Sequence, residues 1–122
     1  MKRILYVEDD DDSAYMLTRR LKKEGFDVCI ASTGEQGVAA AERTAPDLVL
    51  MDVNLPGIDG YEVLRRIRAL PNLSKVPVVI VSANAMRSDS VKAEEAGADG
   101  FESKPVRFAS LKKKIETLLG CP

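Results

Sequence analysis

The sequence predicts an α/β fold, with five parallel strands in one sheet and helices on both of its faces. Three observations carry this. Short apolar segments alternate strictly with helical patterns along the 122 residues. Three of those segments are continuous and rich in branched residues, as strands buried on both faces must be. Each helical pattern stops at a glycine or a proline: Gly25, Pro46, Pro71, Gly97 and Gly120. Alternation of this kind builds a parallel sheet with right-handed crossovers.

The first apolar run, Ile4-Leu5-Tyr6-Val7, reads as a buried strand running into the acids Glu8, Asp9, Asp10 and Asp11. Asp12 or Ser13 is the expected cap of the first helix, with Ala14, Leu17 and Leu21 on its inner face. Phe26, Val28 and Ile30 alternate, which predicts a half-buried strand near an edge. Thr33-Gly34-Glu35 opens a second helix with Val38 and Ala41 inward, until Pro46 forbids continuation. Leu48-Val49-Leu50-Met51 is a second buried strand ending at Asp52, and a loop over 53–60 follows. Asp59 caps a third helix that buries Val63, Leu64 and Ile67. Val78-Val79-Ile80-Val81 ends at Ser82, and Ser88 is the expected cap of a short helix carrying Val91, Ala93 and Ala96. Phe101 sits in a brief last strand ending at Ser103-Lys104-Pro105. The last helix is expected from Phe108 to Leu119, with Leu111, Ile115, Leu118 and Leu119 inward.

Composition removes whole classes of function. No run of eighteen apolar residues exists, so no membrane span is expected. Lys2 and Arg3 lead into an apolar run too short for a signal peptide. The 18 basic and 19 acidic residues nearly cancel, which gives no general reason to bind nucleic acid. The absence of histidine excludes imidazole catalysis and histidine ligation of zinc or haem. Cys29 and Cys121 fit no metal spacing and read as reduced thiols, so the expected compartment is cytoplasmic.

What remains informative is where the polar residues fall. Sites in open parallel sheets form at the carboxyl ends of the strands. Here those ends carry Glu8 and Asp9, then Asp52, then Ser82, then Lys104. Carboxylates about 5 Å apart repel by roughly 3 kcal/mol at an effective dielectric of 20. Three acids sharing a pocket therefore need cations. Lys104 supplies one charge, and an oxygen-ligated Mg²⁺ suits the rest better than Zn²⁺. Carboxylates, a lysine and a hydroxyl around Mg²⁺ make a phosphoryl-binding arrangement, with Asp52 as the natural nucleophile. The neighbouring Pro56 and Asp59 already serve the turn and the cap, so Asp52 has no evident structural task. Taken singly, other residues keep plainer readings. Ser82 also reads as a turn residue, Lys104 as a surface lysine and Phe101 as core. Lys112-Lys113-Lys114 reads as a solvated helix face.

Four segments, in order and at the right spacing, resemble the response-regulator receiver domain over nearly the whole chain. They are Ile4–Asp9, Leu48–Gly60, Val78–Ala83 and Gly97–Pro105. The resemblance implies a flavodoxin-like, doubly wound sheet with strand order 2-1-3-4-5. It implies that Asp52 is the phosphoacceptor and that Asp9 ligates Mg²⁺ directly. Glu8 would act through water, and the Asn54 carbonyl would add a ligand. It implies that Ser82 contacts the bound phosphoryl group, that Lys104 is the family's lysine with a cis bond to Pro105, and that Phe101 is the switch aromatic. Glu8 stands where Asp is commoner, and Ser82 where Thr is commoner. The implied donor is a phosphohistidine on a histidine kinase or a histidine phosphotransfer protein. The expected output surface is the 88–119 face, meeting a downstream protein. No segment after Leu119 is long enough for a second domain, so one receiver domain over 1–122 without an output domain is expected.

Three rivals stand beside this reading. An aspartyl-phosphate phosphatase would need a second carboxylate two residues after Asp52, where Asn54 stands. A flavin carrier would need a phosphate loop after the first strand, and none is present. A receiver-like adaptor would bind partners without phosphorylation. The expectation is therefore a stoichiometric acceptor and not an enzyme.

Overall fold

The computed structural model describes residues 1–83 and 87–120, with only the backbone for 87–90. Five strand–helix pairs alternate: β1 (Arg3–Val7), α1 (Asp11–Lys23), β2 (Asp27–Ala31), α2 (Gly34–Thr44), β3 (Leu48–Asp52), α3 (Gly60–Arg68), β4 (Val78–Ser82), α4 (Arg87–Glu95), β5 (Gly100–Ser103) and α5 (Phe108–Leu119). All pairings are parallel, and the sheet order is β2-β1-β3-β4-β5. The α/β class, the element order and the strand order agree with the sequence reading.

Strand alternation sorts the apolar residues into two cores. Ile4, Tyr6, Leu48, Leu50 and Val79 face α1 and α5, meeting Leu17, Leu21, Leu111 and Ile115. Leu5, Val7, Val49, Met51, Val78 and Ile80 face the opposite layer, with Val63, Leu64, Ile67 and Ala93. Every residue of β3 and β4 is buried, which explains their unbroken apolar character.

Several local expectations need correction. The cap of α1 is Asp10, not Asp12 or Ser13. Its carboxylate accepts from the Ser13 N–H at 3.2 Å and the Ser13 hydroxyl at 2.5 Å. Glu8 is spent on the strand end, which leaves Asp10 at the helix entry. The expected cap Asp59 is in place, and Thr33, in the segment expected to open α2, caps that helix. Helix α4 begins at Arg87, so Ser88 lies inside it, and its side chain falls outside the described residues. Val91, carried on that helix, is 44% exposed. β2 is an edge strand as expected, and with only β1 beside it Ile30 is 45% exposed. Leu118 and Leu119 are half-buried at the last turn of α5. Cys29 is a half-buried free thiol, and Cys121 lies outside the described residues.

Register positions the functional edge. Val7 pairs with Met51, so Glu8 and Asp52 stand level. Asp52 pairs with Val81 and Ser82 with Ser103, so Ser82 and Lys104 follow as successive steps. The Glu8 N–H donates to the Ala31 carbonyl at 2.9 Å, and the Lys104 N–H to the Ser82 carbonyl at 2.8 Å. These bonds extend the ladders one residue beyond β1 and β5, fixing both backbones at the edge. Helix α3 closes the loop after Asp52. A Cβ on Gly60 would lie 2.6 Å from the Asp52 carbonyl oxygen, so only glycine permits that approach.

Candidate functional site

Glu8, Asp9 and Asp52 each present a carboxylate oxygen within 4.8 Å of the others. The Glu8 side chain is fully buried and that of Asp52 is 6% exposed, while Asp9 is open to solvent. Lys104 reaches into this group from a segment 96 residues beyond Glu8. Its ammonium donates to Glu8 Oε1 at 2.6 Å and to Asp52 Oδ2 at 3.0 Å. The second Asp52 oxygen accepts from the Asn54 N–H at 2.9 Å. Asp52 is thus held from both sides at the end of a buried strand.

Electrostatics follow from that geometry. Burial pushes the Glu8 carboxyl up to about 7, and the nearby Asp52 adds to the effect against the opposing Lys104. For Lys104 the desolvation of burial acts downward. Its hydrogen bonds to Glu8 and Asp52 outweigh it, so the ammonium is held above its ordinary range. Three carboxylates and one ammonium leave a deficit of positive charge. The donors are all oxygens, and Asp9 keeps one side open to solvent. That set fits a hard divalent cation that retains water, such as Mg²⁺, and is unsuited to a soft metal.

The remaining sequence-predicted residues fall as follows. Ser82 is fully buried at the end of β4, one step from Asp52, and is no exposed turn residue. Asn54 is exposed, and its backbone joins the site. Lys104 is no ordinary surface lysine. The Lys104–Pro105 bond is cis. Phe101 is half-buried against the core on the β4–β5 side, opposite Ile80, and it does not join the carboxylate group. Two of the three consecutive lysines are engaged. Lys112 pairs with Glu24 at 3.2 Å, and Lys114 binds the buried Glu102 and the Phe101 carbonyl.

Sequence reasoning passed over Tyr6, reading it only as part of an apolar run. Its ring is buried in the core under α1 and α5, yet its hydroxyl donates to Glu8 Oε1 at 3.2 Å. The signal was available: residues two apart on a strand share a face, and a tyrosine has a polar tip. Beside it lies a groove of about 570 Å³ between α1 and the start of α5, lined in part by Met16, Leu17, Arg20, Val106 and Phe108.

Comparison with known proteins gives the family. Residues 4–116 match the family model described as the response regulator receiver domain. The chain belongs to the response-regulator receiver family. It is therefore a receiver domain of two-component signalling. It is 38% identical over 119 residues to the protein PilH of Pseudomonas aeruginosa, covering 98% of each chain. It is also 38% identical over 117 residues to the transcriptional regulatory protein PrrA of Mycobacterium leprae, where it covers 96% of this chain but 49% of the relative. The chain thus spans about half the length of that regulator. Among solved structures, a CheY-like receiver domain protein of Methanospirillum hungatei superposes with a TM-score of 0.90 at 34% identity, covering 98% and 94% of the two chains. The receiver domain of a Pseudomonas aeruginosa sensor histidine kinase superposes with a TM-score of 0.91 at 34% identity, covering 98% of both. That structure holds a magnesium ion coordinated in its active-site cleft.

Proposed function

We propose that this receiver accepts a phosphoryl group on Asp52 from a phosphohistidine of a partner histidine kinase or histidine phosphotransfer protein. The observation that carries the reading is Asp52 itself. It is a buried carboxylate at a strand end, held on one oxygen by the Asn54 N–H and on the other by Lys104. An Asp52 oxygen attacks phosphorus, the phosphorus–nitrogen bond breaks, and the donor imidazole leaves with the electron pair. The product is an acyl phosphate, which is more strongly anionic than the carboxylate it replaces. Lys104 offsets the negative charge that gathers on the transferred group. The Ser82 hydroxyl is the donor to a phosphoryl oxygen, being one register step away. Glu8, Asp9, Asp52 and the Asn54 carbonyl are the residues that would hold Mg²⁺. When bound, that ion neutralises the phosphoryl oxygens.

The chain acts as a stoichiometric acceptor and not as an enzyme. The residue two positions after Asp52 is the amide Asn54, which lacks the acid–base chemistry a phosphatase needs there. Its place of action is the cytoplasm, in keeping with its donors. Among the described residues no helix is long and apolar enough to cross a membrane. Drawing Ser82 towards the phosphoryl group biases Phe101, and with it the 88–119 face that meets the downstream protein. A coupling of about 1–3 kcal/mol is enough for such signalling.

The test is intact mass after incubation with a small phosphodonor, with Mg²⁺ and with EDTA. Wild type is expected to gain one phosphoryl group in Mg²⁺, and to gain none in EDTA. Asp52→Asn is expected to gain none in either. An unmodified wild type under every condition would overturn the proposal in favour of a phosphorylation-independent adaptor.

A further inference from the structure

We propose that Tyr6 is a positioning residue for the divalent cation, acting through Glu8. The inference rests on the phosphoacceptor reading above and extends it to a residue outside the acidic group.

A glutamate has one more rotatable bond than an aspartate, so its carboxylate needs more restraint to occupy one place. The structure supplies that restraint on a single atom. Glu8 Oε1 accepts from the Tyr6 hydroxyl at 3.2 Å and from the Lys104 ammonium at 2.6 Å. The two donors come from different directions. Tyr6 reaches up from the core below the sheet edge, and Lys104 crosses from the segment after β5. Oε2 accepts one long bond, from the Asp10 N–H at 3.4 Å, and the Glu8 carboxyl also lies against that of Asp52. Oε2 is the less engaged oxygen and the one turned to serving a cation or its water. Lys104 is shared with Asp52, so it alone does not dictate the Glu8 rotamer. Tyr6 makes that bond to Glu8 and is itself immobile, 1% exposed and packed among Leu17, Leu50, Leu111 and other core residues. A hydroxyl on a rigid ring that fixes a ligand's orientation contributes about tenfold to metal affinity.

The same geometry makes the effect conditional. A carboxylate one methylene shorter at position 8 would draw back from the hydroxyl, and Tyr6 would lose its hold on the site. Positioning therefore depends on the glutamate, whereas a purely structural role for the ring does not.

The experiment is a double-mutant cycle on the full chain, with Mg²⁺ binding to metal-free protein read by calorimetry. Wild type, Tyr6→Phe, Glu8→Asp and the double variant are compared. Phenylalanine keeps the ring, and thermal melts in EDTA confirm that each variant is folded. Tyr6→Phe is expected to weaken Mg²⁺ binding about tenfold in the Glu8 background and less than twofold in the Glu8→Asp background. In phosphorylation assays, Tyr6→Phe raises the Mg²⁺ concentration for half-maximal rate and leaves the rate at saturating Mg²⁺ within twofold. A Tyr6→Phe affinity within twofold of wild type would overturn the proposal. So would an equal loss in both backgrounds, or a fall in melting temperature with unchanged affinity. Failure of wild type to gain a phosphoryl group would instead defeat the phosphoacceptor reading, and the calorimetric cycle would still decide the role of Tyr6.

Discussion

Metal-free protein should become less stable as pH rises from 5 to 8, and Glu8 should be the cause. The carboxyl is fully buried and lies beside Asp52, so its proton is held up to about 7 against an ordinary 4.5. A group whose folded value is raised in this way binds protons more tightly in the folded state. Stability is then greatest below the unfolded value and falls as pH climbs through the folded one. The difference corresponds to about 3 kcal/mol between pH 4.5 and pH 8. Lys104 is held above its ordinary range and stays charged throughout, so it adds no slope here. Asp10 and Glu62 are held below the ordinary range, by Ser13 and by Arg65 with Arg66, and act only at lower pH. The absence of histidine removes the side chain that usually titrates in this window. The assay is urea unfolding in EDTA at pH 5, 6, 7 and 8 for wild type and Glu8→Gln. Wild type should lose roughly 2–3 kcal/mol across the range, and Glu8→Gln should be nearly flat. Mg²⁺ should restore most of the loss at pH 8. A flat wild-type profile, or an equal slope in Glu8→Gln, would refute the assignment.

Three further outcomes follow from the site and its supports. Lys104→Met leaves Glu8 and Asp52 without their shared cation; metal-free stability at pH 7.5 should drop by about 2 kcal/mol, a figure reduced for the partial exposure of the lysine, while Mg²⁺ binding tightens. An unchanged urea midpoint would mean the pair contributes nothing. Gly60→Ala forces a Cβ to 2.6 Å from the Asp52 carbonyl and 2.7 Å from the Val53 Cα, so urea unfolding should register a loss of about 2–3 kcal/mol and slower phosphorylation. Wild-type behaviour there would show that the loop yields freely. Phe101→Ala should equalise partner affinity between the phosphorylated and unmodified forms, read by titration against the downstream protein; a preserved difference would remove Phe101 from the switch.

Much of this was legible in the chain. Buried parallel strands announce themselves by continuous branched runs, and Leu48–Asp52 and Val78–Ser82 are buried at every position. Caps are local hydrogen bonds, which is why Thr33 and Asp59 were readable. The cap of α1 was misread because Glu8–Asp12 offers several carboxylates in a row, and only the strand end decides which remain available. Val91 and Ile30 show the limit of hydropathy, since an apolar residue on an outer turn or an edge strand stays exposed for want of a neighbouring element. The site residues could be named because polar groups at strand ends share an edge in any parallel sheet. The resemblance to a family then sharpened their roles.

By itself, the sequence determined the alternation of elements, their approximate limits and the delivery of Glu8, Asp9, Asp52, Ser82 and Lys104 to one edge. Period, capping and turn chemistry act over a few residues, so they can be read without the fold. Strand order, register and shared hydrogen bonds act between segments far apart in the chain. Only the tertiary structure placed Glu8 level with Asp52 and brought Lys104 across 96 residues to Glu8 and 52 to Asp52. Those contacts depend on how sheet order and helix packing position β1 beside β3 and place β5 beyond β4, and no local pattern encodes a distance between strands.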